Sequence, residues 1–359
     1  YGLGEALRDA GSGVFELAPA GADGQDLGNA PKEMEWMKRL SATIQRPVTF
    51  ALLQNETEPS LWKQLLEESL EATEQGSQCF PQVAGRPFGL LIGLQTHHAF
   101  AKRPTFINIA HLPHNELVEQ LKQSSTRNAI LSEADTDPDP KILFDGMSRM
   151  IQSMLHRLYP MGEIPDYEPD PTKSFVSIAE TKNTTPEAVL YDYMLENDGY
   201  AMGMMPIFNY VDGNHDVIRE MLLHPQAVSG LSDGGAHCGM ICDASIPTFM
   251  LSHWTRDRTR GKKLPLEWII KKQTNDTASL YGLNDRGTLQ AGKRADINVI
   301  DYNALTLHGP KMAHDLPAGG RRLLQEATGY DYTIVAGTIT REFGQDTGQR
   351  PGRLIRGAR

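Results

Sequence analysis

The residues best suited to chemistry fall in one stretch, Ala227 to Trp254, which reads AVSGLSDGGAHCGMICDASIPTFMLSHW. It opens with a short apolar run, Ala227-Val228-Ser229-Gly230-Leu231, of the type expected for a strand buried on both faces. The run breaks at Ser232-Asp233-Gly234-Gly235, where a glycine pair lets the backbone turn sharply. A carboxylate at the end of a buried strand stands where barrel and open α/β enzymes carry their chemistry. Asp233 by itself could cap the following turn. His237, Cys238, Cys242 and Asp243 follow closely, and that company favours a functional carboxylate.

The neighbours of Asp233 admit two readings each. His237 is either a ligand or substrate contact, or a residue hydrogen-bonded to the loop backbone. Cys238, Cys242 and Asp243 lack a convincing fourth ligand, so two buried thiols are the simpler reading. His253-Trp254 with Arg256 and Arg258 could receive a substrate carboxylate, since arginine suits bidentate recognition. A surface ion-pair cluster with Asp257 accounts for them equally well. Ser232, Asp233 and His237 do not make a nucleophilic triad through closeness alone, and no G-x-S-x-G elbow is present. His97 and His98 are adjacent and project in different directions on any regular element, so one metal does not take both. The acidic Asp135–Pro140 segment lacks the Gly and terminal Glu of a calcium loop. No glycine-rich phosphate loop follows a strand, which gives no sign of a nucleotide cofactor.

The elements that must position these residues read as alternating strands and helices. Strands are predicted at Gly13–Ala18, Val48–Leu53 and Ser77–Val83, with amphipathic helices at Glu33–Gln45 and Leu61–Thr73 between them. Short links and this alternation signal βα units and a parallel sheet. The residues from Lys141 to Pro171 read as an insertion between core elements. The pattern then resumes with a strand at Phe175–Ala179, a helix opened by Thr185-Pro186-Glu187, a strand at Ala201–Ile207 and a helix at Asn214–Leu223. From Gly287 the texture becomes β-rich, with Asp296–Asp301, Tyr332–Ala336 and a hairpin turn at Ala336-Gly337-Thr338. This sets a boundary near residue 284, with an α/β part over 1–284 and a small β-module over 285–359.

Composition narrows the partners. The 359 residues carry a formal net charge of -10, with 40% hydrophobic and 22% charged residues. An acidic chain lacks the basic face that phosphate binding needs, which argues against nucleic acid and anionic membranes. No apolar run approaches the ~20 residues required to span a bilayer. Three cysteines do not make a disulfide framework, so a reducing, cytoplasmic setting is expected.

The segment Gly287-Thr288-Leu289-Gln290-Ala291-Gly292-Lys293-Arg294-Ala295-Asp296, then Val335–Gly337, resembles the end of metal-dependent amidohydrolases. The Thr347-Gly348-x-x-Pro351-Gly352-Arg353 ending is similar to that of the N-acyl-D-amino-acid deacylase, or D-aminoacylase, branch. The likeness is clear from about Ser229 to Arg353 and diffuse before it. It implies a (β/α)8 barrel of the TIM type, present here in part, with one or two zinc ions at its carboxyl mouth and a small β-sandwich built from both chain ends. It also implies that Asp233 closes the eighth strand, touches the metal and shuttles a proton; His237, four residues on, is a candidate metal ligand by its position alone. The implied substrate is a small N-acyl amino acid or related amide; a homo-oligomer is open. Two departures stand out. The family's His-x-His is not in this sequence and would lie before Tyr1. The ends of the fifth and sixth strands, where the family carries histidines, fall at Gln54 and Gln82, which together with His253 become candidate substrate contacts, since glutamine is a poor zinc ligand. Alternatives are another amidohydrolase, such as a deaminase or cyclic amidase, and a metal-less barrel that binds without turnover.

Overall fold

The computed structural model describes residues 2–20, 26, 29–142, 144–232, 234, 235 and 237–355. Strands β1 (Phe15–Leu17), β2 (Val48–Ala51) and β3 (Cys79–Val83) alternate with helices Ala30–Ile44 and Leu61–Glu74, as the periodicity predicts. A fourth parallel strand, β7 (Val228–Ser229), joins the far side of β3, giving the order β1-β2-β3-β7. All four carboxyl ends therefore lie on one side of the sheet.

One face of this sheet is bound to helices. Val48, Phe50, Leu52, Cys79 and Val83 pack with Met34, Met37, Leu40 and Ile44 of the first helix, Leu65 and Leu66 of the second, and Ile218, Met221 and Leu222 of helix Asp216–Leu223. Because side chains alternate along a strand, the register puts Glu16, Thr49, Ala51, Phe80, Gln82 and Val228 on the opposite face. That face carries the polar residues. The larger expectation of eight strands goes beyond the described residues, which supply four parallel ones in this sheet.

Between β3 and β7 the chain builds a second apolar cluster. Strands β4 (Gly89–Ile92), β5 (Tyr159–Pro160) and β6 (Gly203–Pro206) form an antiparallel sheet in the order β4-β6-β5. Helices pack on it through Ile130, Phe175 and Leu190, with Phe100 and Leu158 added from connecting segments. The insertion is thus larger than 141–171. Residues Phe175–Lys182, expected to begin as a strand, form a helix. Ser174 Oγ accepts from Ser177 N at 3.2 Å, and Asn183 ends the helix in the left-handed region. Capping at both ends decides in favour of helix over the β-branched character of Val176 and Ile178.

The β-rich tail is as expected in texture. Strands Ile297–Ile300, Tyr330–Val335, Thr338–Glu342 and Gln345–Asp346 form one antiparallel sheet, and Lys311–Leu316 pairs with Gly320–Leu324. The hairpin at Ala336-Gly337 has φ of 50° and 79°, the pair of positive values a tight hairpin turn requires. The tail leans on the chain that follows β7: Leu323 N donates to Cys238 O at 2.6 Å, and Ser245 Oγ donates to Gln325 Oε1. No helix among the described residues is long and apolar enough to cross a membrane.

Candidate active site

The rim formed by the carboxyl ends of β1, β2, β3 and β7 is the natural place to look for the site, and Gln82 lies at its centre. Its side chain is 6% exposed, and Nε2 donates to Glu16 Oε1 at 3.0 Å. On the other side its Oε1 passes so close to Gly230 that an added Cβ there would sit 2.5 Å away. A side chain at that point would push the Gln82 carboxamide aside. Gln82 therefore spans the polar face from β1 to the segment leaving β7. Tyr281 OH donates to Glu16 Oε2 at 2.8 Å, so both carboxylate oxygens of Glu16 are held.

Asp233, the central expectation from the sequence, lies outside the described residues. Ser232 before it and Gly234 after it follow β7 at the same rim. His237 is exposed, with φ of 51°; its carbonyl accepts from Met240 N and Ile241 N, both at 2.9 Å, and its ring meets Phe144 edge-on at 5.6 Å. Cys242 is buried, and burial pushes its thiol up to about 11, so it is a protonated core residue.

Gln54 has a different setting from Gln82. It is 2% exposed, its backbone N donates to Asn209 Oδ1 at 2.7 Å, and its Nε2 donates to Asp212 Oδ2 at 3.1 Å. Its Oε1 accepts from Val211 N at 3.3 Å. With these atoms bonded to the 209–212 loop, Gln54 anchors that loop. In the four-stranded sheet Glu16 lies on β1, Gln54 follows β2 and Gln82 lies on β3.

His253 is drawn into a cluster that sequence spacing did not reveal. Its Nε2 lies 3.0 Å from Glu168 Oε2. His215 N donates to Glu168 Oε1 at 2.7 Å, and His215 Nδ1 lies 3.7 Å from Oε2. Arg258 grips the same carboxylate through Nε at 3.1 Å and Nη2 at 2.9 Å, and the latter also reaches Asp216 Oδ1 at 2.9 Å. Arg258 is fully buried and stacks its guanidinium on Trp254 at 4.7 Å. It is therefore neither a surface residue nor free for a substrate carboxylate; only Arg256 pairs with Asp257 as expected. Burial would push the Glu168 carboxyl up, but hydrogen bonds from His253 and Arg258 outweigh it and hold the group well below the usual range. Burial pushes His215 down to about 3, so it is neutral.

Residues 178–341 match a model of the amidohydrolase family. Among solved structures, the fold is similar to D-aminoacylase, a protein with a binuclear metal centre, at 17% identity and a TM-score of 0.50 over 96% of this chain. A D-aminoacylase mutant in complex with copper chloride gives 17% identity and a TM-score of 0.51 over 98% of this chain. The chain spans little more than half of those proteins, 56% and 57% respectively. No curated protein gives a significant match.

The described rim residues do not make a metal site by themselves. Glu16 supplies a carboxylate already held by two donors, and Gln54 and Gln82 are poor ligands.

Proposed function

We propose that this chain belongs to a metal-dependent hydrolase of non-peptide carbon–nitrogen bonds that acts on N-acyl amino acids in the manner of a D-aminoacylase. The observation that carries the reading is the family match over 178–341, which includes Asp233 and the chain on both sides of it. The likeness in fold to D-aminoacylase supports it, as do four parallel strands whose carboxyl ends share one rim. In this reading the strands are part of a (β/α)8 barrel.

The chemistry assigned to the chain's own residues is proton transfer and orientation. In enzymes of this class a zinc ion brings the pKa of its bound water to about 7. The Asp233 carboxylate accepts the proton of the attacking water and returns it to the departing amine, so one group serves as base and then as acid. Gln82, fixed between Glu16 and Gly230, presents its carboxamide beside the chain leading to Asp233 and orients the acyl-amide of the substrate. His237, exposed on the same loop, is assigned to the metal or to the outer part of the substrate.

The test is release of free amino acid from N-acetyl-D-amino acids by the protein, first stripped with a chelator and then supplied with zinc. The reading expects hydrolysis that chelation abolishes and zinc restores. Absence of hydrolysis in both states would favour a barrel that binds without turnover.

A further inference from the structure

Among the described residues, Glu168, His215 and His253 form a group whose potential ligand atoms all lie within 4.8 Å of one another. It shares no hydrogen bond with Gln82 or Glu16, and it is drawn from the segment preceding helix Phe175–Lys182, the loop before helix Asp216–Leu223 and the π-helical turn His253–Asp257 that continues helix Ile246–Ser252.

The decisive feature is the state of His215. Its Nε2 lies 2.8 Å from the carbonyl oxygen of Tyr167, which can only accept, so Nε2 carries the proton. Nδ1 is then a bare lone pair, fully buried and without a hydrogen-bond partner. It faces Glu168 Oε2, another lone-pair atom, across 3.7 Å. Two lone pairs held face to face in a dry interior repel, and the buried Nδ1 acceptor left unsatisfied is destabilising. A cation between them removes both penalties. A histidine whose far nitrogen donates to a backbone carbonyl is also the usual arrangement of a metal ligand, because that bond fixes the tautomer and the ring.

We propose that Glu168, His215 and His253 bind one divalent transition-metal ion of the zinc type, through Oε2, Nδ1 and Nε2, as a clamp separate from the strand-end rim. Two imidazoles and a carboxylate are a zinc-type donor set. Binding at His253 Nε2 leaves the ring's proton on Nδ1. Arg258 does not take the ion's place. It holds the carboxylate through Nε and Nη2, and its own charge is shared with Asp216, leaving the two carboxylates one negative charge in excess of the guanidinium. His253, the most exposed of the three at 15%, is the entry side. The clamp ties together three segments that are distant in sequence.

The test is a titration of the metal-stripped full chain with cobalt(II) alone, read by visible d–d absorption and by Tm, in the wild type, His253→Gln and His253→Cys. The proposal expects a cobalt band and a rise in Tm in the wild type, loss of one equivalent and of most of the Tm rise in His253→Gln, and recovery of both with the ligating His253→Cys. A wild type without band or Tm rise would overturn it. So would a His253→Gln protein that binds and gains Tm as the wild type does, since the ion then sits elsewhere. Should His253→Gln fail to fold, the wild-type titration and the cysteine variant decide, and a cysteine variant without the sulfur-to-cobalt charge-transfer band would count against the site.

Discussion

Gln82 Nε2 donates to Glu16 Oε1 across 3.0 Å, joining two strands that are not neighbours over the intervening β2. The bond lies on the sheet face turned away from the helices and next to the segment that leads to Asp233. It makes Gln82 a fixed element of the rim instead of a mobile surface amide.

Glu16 is exposed, so Glu16→Gln, which can still bond Tyr281, should change stability by less than about 0.5 kcal/mol. Gln82→Glu instead sets a second carboxylate beside the first at a buried position. It should destabilise by about 1–3 kcal/mol at neutral pH. Repulsion raises the pKa of the pair, so the lost stability should return as pH falls and one proton is shared. Urea unfolding of both variants at pH 7 and pH 5 checks this.

The Glu168–Arg258 pair predicts a large contrast between buried and exposed ion pairs. Arg258→Met leaves a buried carboxylate without its main partner and should cost about 3–5 kcal/mol. Arg322 and Asp315 pair at 2.7 Å on the surface, with side chains 38% and 45% exposed. Arg322→Ala should cost less than about 1 kcal/mol. Denaturant melts of the two variants make the comparison.

The alternation of β1, β2 and β3 with their helices was legible because apolar periodicity is local. So was the β-texture after Gly287. The helix Phe175–Lys182 was missed because Phe175, Val176 and Ile178 satisfy a short strand pattern as well, and the caps at Ser174 and Asn183 carried the deciding signal. Gln82 was picked out as a strand-end residue, whereas Gln54 turned out to be committed to a loop. Glu168 and His215 escaped entirely, and Arg258 was singled out without its buried partner. Glu168 and Arg258 are 90 positions apart, and no local pattern marks a carboxylate as the one that folding will bury against a guanidinium.

His98 gives a pH dependence of stability that is independent of any site chemistry. It is 3% exposed, its Nδ1 accepts from Phe100 N at 3.2 Å, and its ring meets Phe106 at 4.5 Å. Burial, with a smaller contribution from His97, pushes it down to about 3. The unfolded chain takes up a proton there near pH 6.5 and the folded one does not. Stability is therefore complete above about pH 6.5 and falls as pH drops toward 3, by up to about 1.4 kcal/mol per pH unit. His98→Asn, which keeps an acceptor for Phe100 N, should flatten this limb. Melts between pH 4 and pH 7 would show the difference in slope.

The most direct test of the account is the rate at which the zinc-supplied protein and its Asp233→Ala variant release amino acid from an N-acetyl-D-amino acid. With circular dichroism and Tm matched between the two, the account predicts a fall in kcat of about 10²–10⁴-fold on loss of the proton-transferring carboxylate. Equal rates in two equally folded proteins would contradict it.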